Sequence, residues 1–137
     1  MRRDLTIDDL GDLVALPLLA TLATYRQDGT VLLSPVWHEW RDGGFNVVTA
    51  SRDVKARHLR RDSRASIVVA EQSPPYRGIE LSANARLVTA GVEDALVRIA
   101  SRYLGQEAGA AFAKRAVDDL IIRLEPGDLR VWDFADG

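Results

Sequence analysis

Three apolar runs near the start of this chain have only tight turns between them, and that restricts the fold more than any other feature. Leu18 to Tyr25, Val31 to Trp40 and Phe45 to Ala50 read as strands, rich in Val, Leu, Thr and aromatic residues. Gln27-Asp28-Gly29-Thr30 and Arg41-Asp42-Gly43-Gly44 join them as hairpin turns. Parallel neighbours need a crossover of about a dozen residues, usually a helix, and these three runs leave no space for one. The sheet must begin antiparallel, which argues against a doubly wound α/β fold. Pro35 removes a ladder donor from the second run, so that strand is predicted at a sheet edge or at a bulge.

The remaining elements fit around this start. Thr6-Ile7-Asp8-Asp9 resembles a capping box, and Leu10, Leu13 and Val14 follow at helical spacing before Pro17, so a short helix is predicted there. A second short helix is predicted from Asp53 to Arg61, directly after the third strand. Ala65 to Ala70 is a fourth strand, and Ser73-Pro74-Pro75 marks a loop that cannot pair as central sheet. Ile79 to Thr89 alternates as a fifth strand. Val92 to Leu104 carries Leu96, Ile99, Ala100 and Tyr103 on one helical stripe, Gly105 ends it, and Glu107 to Val117 reads as a further helix. Leu120 to Leu124 and Leu129 to Phe134 are two last strands around the turn Glu125-Pro126-Gly127-Asp128. Seven strands linked largely by hairpins predict a mainly β chain: an antiparallel barrel with peripheral helices. A chain of 137 residues without repeat, low-complexity tract or linker is expected to form one domain over 1–137.

Charge and composition narrow the function. A net charge of −2 and a pI near 5.7 argue against a nucleic-acid partner. The chain has no cysteine, which excludes disulfides and thiolate metal sites. No apolar run approaches the roughly 20 residues that span a bilayer, and Met1-Arg2-Arg3-Asp4 lacks the apolar stretch of a signal peptide, so a cytoplasmic protein with no membrane partner is expected. His38 and His58 are the two histidines, with no carboxylate at ligand spacing beside either, and no metal is expected. Gly-x-Ser-x-Gly, Walker and Gly-x-Gly-x-x-Gly motifs are absent.

Chemistry concentrates where the third strand meets its helix. Nine charged or imidazole side chains fall between Arg52 and Arg64, and Lys55, one of two lysines among sixteen arginines, lies in the first helical turn. Unsatisfied amides and the helix dipole favour an anion there, so Thr49, Ser51 and Lys55 read as a phosphate clamp, or else as a solvated basic face. Trp37-His38-Glu39-Trp40 places two aromatics on opposite faces of a strand, fit for the core, for a partner subunit or for a flat ring. Pro75-Tyr76-Arg77 suits an anionic or planar ligand across a subunit boundary, or an ordinary surface Tyr/Arg pair.

Taken in order, Ala20-Thr21-Leu22-Ala23-Thr24, an Asp-Gly turn, Ser34-Pro35-Val36-Trp37, Val48-Thr49-Ala50-Ser51, Lys55-Ala56-Arg57-His58-Leu59 and Pro75-Tyr76-Arg77 resemble the pyridoxamine 5′-phosphate oxidase-like, FMN-binding split-barrel superfamily. Within it the chain is most similar to the small actinobacterial branch that uses the deazaflavin coenzyme F420. The resemblance implies a six- to seven-stranded antiparallel split β-barrel of Greek-key type, forming a homodimer with two cofactor sites at the subunit interface. It implies that Ser34, Pro35, Val36 and Trp37 lie along the ring, and that the Val48 to Lys55 segment takes the ribityl chain and phosphate. Thr49 and Ser51 would then donate to phosphate, with Val48 and Ala50 beside them, and Lys55 would neutralise it. Arg52 and Arg57 would assist or hold the acidic oligoglutamate tail of coenzyme F420. Pro75, Tyr76 and Arg77 would approach from the neighbouring chain, and the Arg130-Val131-Trp132 strand would lie near the site. Against the family pattern, His58 stands where Asn is usual, a Gly near Ala83 or Ala85 is missing, and the Arg/Ser phosphate pair of FMN oxidases is not evident. The last point leans the cofactor from FMN towards coenzyme F420.

The activity this implies is hydride transfer from reduced deazaflavin to a conjugated small molecule such as a quinone, enone or tetrapyrrole, with no side chain assigned as catalytic. An FMN oxidase or reductase, and a non-catalytic cofactor- or haem-binding split barrel, are the other readings.

Overall fold

The computed structural model describes residues 5–125 and 127–134. The readings of Met1-Arg2-Arg3-Asp4 and of Pro126 lie outside the described residues. The chain forms β1 (Ala20–Tyr25), β2 (Val31–Val36), β3 (Glu39–Arg41), β4 (Gly44–Ala50), α1 (Val54–Arg61), β5 (Arg64–Ala70), β6 (Gly78–Asn84), β7 (Arg86–Val88), α2 (Val92–Leu104), α3 (Gln106–Ala113), β8 (Asp119–Leu124) and β9 (Asp128–Trp132). Five strands make one sheet in the order β2-β1-β5-β6-β9, and four make the other, β3-β4-β8-β7. Every pairing described is antiparallel. The mainly β, split-barrel reading holds. Pro35 sits in β2 at the edge of the larger sheet, where its missing amide costs no ladder bond on the open side.

Inward side chains of the two sheets meet in one core. Leu22, Ile67, Ile79 and Leu81 come from the first sheet, and Phe45, Val47, Ile122 and Leu124 from the second, all essentially without solvent exposure. Alternate burial along β1 and β5 follows the period-two pattern of a half-covered sheet. α2 buries Leu96, Ile99 and Ala100 of its predicted stripe, together with Ala95, while Tyr103 remains part-buried and turns to hydrogen bonding.

Three expectations need correction. The single strand expected over 31–40 breaks into β2 and β3, because residues 37 and 38 carry the chain from one sheet to the other. The strand expected over 79–89 likewise divides at Ala85, whose amide donates to the Ser63 carbonyl at 2.7 Å before β7 joins the second sheet. Nine strands are thus described rather than seven. The helix expected near Leu10 is instead two 3₁₀ turns, Ile7–Leu10 and Leu13–Ala15, interrupted by Gly11 at φ 63°. Thr6 still donates its amide and hydroxyl to Asp9, at 2.8 and 3.1 Å.

Gly78 opens β6 beneath the indole of Trp132 on β9, and a Cβ there would overlap the ring. Gly78→Ala therefore forces the β6–β9 pair apart. It is expected to destabilise the protein by roughly 1–3 kcal/mol, read as a lowered urea midpoint with unchanged slope.

Candidate functional site

β4 ends in Thr49 and Ala50, and the chain turns through Ser51 and Arg52 into α1. Thr49 is buried within the sheet, paired with Leu120 of β8, and Val48 is half-buried opposite Ile121. The Ser51 amide leaves the ladder and donates to the Asp118 carbonyl at 2.9 Å. Its hydroxyl accepts from Arg60 Nη2 at 2.9 Å, while Arg60 Nη1 holds the Ser51 carbonyl at 2.9 Å. Ser51 Oγ thus receives its bond from the protein and keeps its own proton for an outward partner. A cavity of about 300 Å³ opens here, lined by Ala50, Arg52, Val117 and Asp118.

Asp53 caps α1. Its Oδ1 accepts the Lys55 amide at 3.0 Å and lies 3.0 Å from Lys55 Nζ. Lys55 is therefore folded back on its own helix start, with its side chain 16% exposed. Burial pushes the Asp53 carboxyl up, but the Lys55 amide and ammonium, with the Thr49 hydroxyl, outweigh it and hold Asp53 below the ordinary carboxylate value. Arg52 and Arg57 are exposed, and neither is seen in an ion pair among the described residues. Ser51, Arg52 and Lys55 thus stand at or beside the start of α1, and Arg57 follows two residues beyond Lys55, on a different face of the helix. Amides and cations at a helix start suit an anionic group.

Ser34, Pro35 and Val36 lie apart from this corner, on the edge strand β2. Val36 is buried, Ser34 half-buried and Pro35 exposed. Trp37 follows and is stacked on Tyr103 of α2, with ring centroids 5.0 Å apart and planes 8° from parallel. Phe112 of α3 packs against it as well, tilted by 51° with ring centroids 5.3 Å apart. Trp40 packs edge-on against Phe45 in the core at 4.9 Å. The two indoles divide as their alternation suggested, one inward and one against the helices.

Pro75, Tyr76 and Arg77 form the β5–β6 loop. Val36, Ala20, Val69 and Ile79 lie in register across β2, β1, β5 and β6, so this loop and Trp37 share one end of the sheet. Three strand spacings, roughly 14 Å, separate them. Tyr76 is 47% exposed at φ 56°. Arg77 turns inward and donates four hydrogen bonds: Nε and Nη2 to Glu71 at 2.9 Å, and Nη1 to the Leu10 carbonyl at 2.6 Å and to Asp12 at 3.0 Å. It ties the loop to the N-terminal turns. On β9, Arg130 lies over Trp132 at 4.7 Å and reaches Glu80 at 3.3 Å.

With the geometry in place, comparison with known families decides the assignment: the model for pyridoxamine 5′-phosphate oxidase matches residues 8–133. The chain belongs to that family. Solved structures agree on the fold. A conserved hypothetical protein of Mycobacterium tuberculosis is 24% identical, with 96% of this chain and 87% of that one covered at a TM-score of 0.84. An F420 reductase is 22% identical over 86% and 93% at 0.70. HutZ, the haem storage protein of Vibrio cholerae, is 17% identical over 91% and 93% at 0.71. Comparison with curated proteins gives no match. Among the described residues no helix is long and apolar enough to cross a membrane.

Two histidines of this pyridoxamine 5′-phosphate oxidase family member have structural roles. His58 sets Nδ1 2.9 Å from the buried Thr24 hydroxyl and so fastens α1 to β1. Burial, followed by the Arg61, Arg26 and Arg57 guanidiniums, lowers its pKa. His38 is wholly buried. The Tyr103 hydroxyl donates to the Leu18 carbonyl at 2.8 Å, accepts the His38 amide at 3.2 Å, and lies 3.1 Å from His38 Nδ1. One hydroxyl carries one proton, and Leu18 takes it. His38 Nδ1 must then be the protonated nitrogen, which leaves Nε2 a bare acceptor without a hydrogen-bond partner. Burial, with the Arg102 guanidinium and against the pull of Glu39, pushes this imidazole down to about 3.

An ordinary imidazole titrates near 6.5. The unfolded chain therefore takes up the His38 proton below about pH 6.5, while the folded chain resists until about pH 3. The stability from keeping His38 neutral is complete above pH 6.5 and fades as the pH falls towards 3. Urea unfolding across this window is expected to show a steeper loss for the native protein than for His38→Gln. Parallel curves would remove His38 from the acid response.

Proposed function

We propose that the protein is an oxidoreductase that holds a phosphate-bearing, flavin-type cofactor, coenzyme F420 in preference to FMN, and passes hydride to a conjugated small molecule. The β4–α1 corner carries this reading: Ser51, Arg52 and Lys55 stand at the start of α1, where the helix dipole and the cations favour an anion, and Arg57 adds positive charge further along the helix. The family's name points to oxidase chemistry, and its cofactors are FMN or related flavins. The F420 reductase shares the fold at low identity and supports the deazaflavin alternative.

When bound, a reduced deazaflavin supplies the hydride, which passes to a quinone, enone or tetrapyrrole. The protein's work is to bind and orient. Lys55 keeps donors beyond the one it gives Asp53, and Arg52 and Arg57 meet the rest of the acidic tail. β2 is paired on one side by β1, so its open edge at Ser34, Pro35 and Val36 is available along a ring. Trp37, fixed by Tyr103 and Phe112, forms the wall at its end.

A homodimer completes this reading. Val31, Leu33 and Pro35 are exposed on β2 and suit a second copy of the chain. Pro75 and Tyr76 lie too far from Trp37 within one chain to share its ring, and in the dimer they reach the partner's site. Arg77 supports that approach from behind, since its guanidinium is committed to Glu71, Leu10 and Asp12. The reading places the enzyme in the cytoplasm.

A fluorescence titration with FMN and with coenzyme F420 tests the assignment. Lys55→Ala is expected to weaken the preferred cofactor tenfold to a hundredfold, roughly 1.5–3 kcal/mol. An unchanged dissociation constant would move phosphate recognition elsewhere. A protein that purifies yellow and ignores deazaflavin would be the FMN enzyme, and a Soret band would mark a haem-handling barrel.

A further inference from the structure

We infer that Asp53 is an internal competitor for the phosphate corner and keeps the bound cofactor exchangeable. This rests on the phosphate reading of that corner and goes beyond it. An anion arriving at α1 would use the first-turn amides and the Lys55 ammonium. Asp53 Oδ1 already takes the Lys55 amide at 3.0 Å and stands 3.0 Å from the ammonium. The carboxylate thus occupies an amide and the ammonium that an arriving phosphate would need, tethered to the same helix and free of any cost in lost translation.

Asp53 does more than an N-cap requires. A neutral Asn caps a helix about as well, through the same side-chain oxygen. The negative charge adds only the pairing to Lys55, and it subtracts from the field that Arg52, Lys55 and Arg57 offer an anion. Thr49, buried at the end of β4, donates to this carboxylate and so serves the competitor directly. A ligand phosphate must draw Lys55 away from Asp53 or share it against the repulsion of that charge. Either way the grip is loosened. A cofactor held this way leaves between turnovers, as suits a hydride carrier that is reduced again elsewhere.

The test is a set of variants in the full-length protein, with affinity and dissociation rate measured for both FMN and coenzyme F420. Asp53→Asn keeps the cap and removes the charge, so the preferred cofactor is expected to bind roughly tenfold tighter and leave correspondingly more slowly. Asp62→Asn makes the same charge change at the far end of α1, roughly 13 Å away, and is expected to stay within about twofold of the native protein. In a Lys55→Ala background the gain from Asp53→Asn is expected to shrink, since the competition acts through Lys55. If Lys55→Ala weakens binding while Asp53→Asn leaves it unchanged or weaker, the competitor is overturned and the phosphate corner stands. Equal gains from Asp53→Asn and Asp62→Asn would overturn it too, as a general charge effect. If Lys55→Ala changes the affinity for neither cofactor, the phosphate corner falls, and the inference falls with it.

Discussion

A chain that passes between two sheets leaves the hydrogen-bond ladder, and its freed backbone groups must be met by something else. Each one left buried and unmet costs about 1–3 kcal/mol. At residues 37–38 the Tyr103 hydroxyl takes the His38 amide and Arg102 takes the His38 carbonyl. Arg102 also holds the Val14 and Leu16 carbonyls, and Tyr103 the Leu18 carbonyl. One turn of α2 thus secures both the crossing and the segment leading into β1. The helix lies outside the barrel in topology, yet the split between the sheets closes on it.

The same requirement stiffens the edges of the candidate site. Trp37 precedes the crossing and is stacked on the tyrosine that satisfies it. Ser51 begins the turn into α1, and its amide is met by Asp118 and its carbonyl by Arg60. Arg77 plays the corresponding part for the Pro75-Tyr76 loop by joining Glu71 to Leu10 and Asp12. Guanidiniums suit these posts because their planar forks satisfy two or three acceptors at once. An arginine-rich chain therefore spends much of its positive charge inside its own structure.

How much was legible in the sequence follows from the range of each interaction. Hairpins are local: Asp28-Gly29 and Asp42-Gly43 announced β1 to β4, and Pro35 announced the edge. The period of α2 was equally plain, and its ends at Val92 and Leu104 matched. The crossings were not legible, because Ala85 leaves its strand for a carbonyl on Ser63 that no spacing reveals. Gly11 hides in the same way, since its positive φ breaks a run whose apolar spacing reads as one helix. At the corner, Asp53 was visible as a cap and Lys55 as a first-turn cation. Their pairing is less legible, since the capping role alone accounts for the aspartate, although a lysine two residues beyond it is within its reach. The sequence offers Arg77 a ligand or a surface pairing with Tyr76, and hides its inward bonds because two of the acceptors, at positions 10 and 12, are distant in sequence.

This division between backbone and side chain bears on what the fold can say about activity. An F420 reductase and a haem storage protein lie at nearly equal structural distance from this chain, with TM-scores of 0.70 and 0.71. Such closeness is expected if the shared part is the set of crossings, which any split barrel must satisfy, and function is carried by a few side chains beside them. In this chain the side chains beside the β4–α1 crossing are the cations around α1 and the carboxylate set among them. A haem site asks for an accessible axial ligand, and the described histidines are poor candidates: His38 is sealed in the core and His58 is bonded to Thr24. An anionic tail asks for cations that can move to meet it, and Arg52 and Arg57 are exposed. The chemistry of the corner, more than the likeness of the barrel, separates the readings.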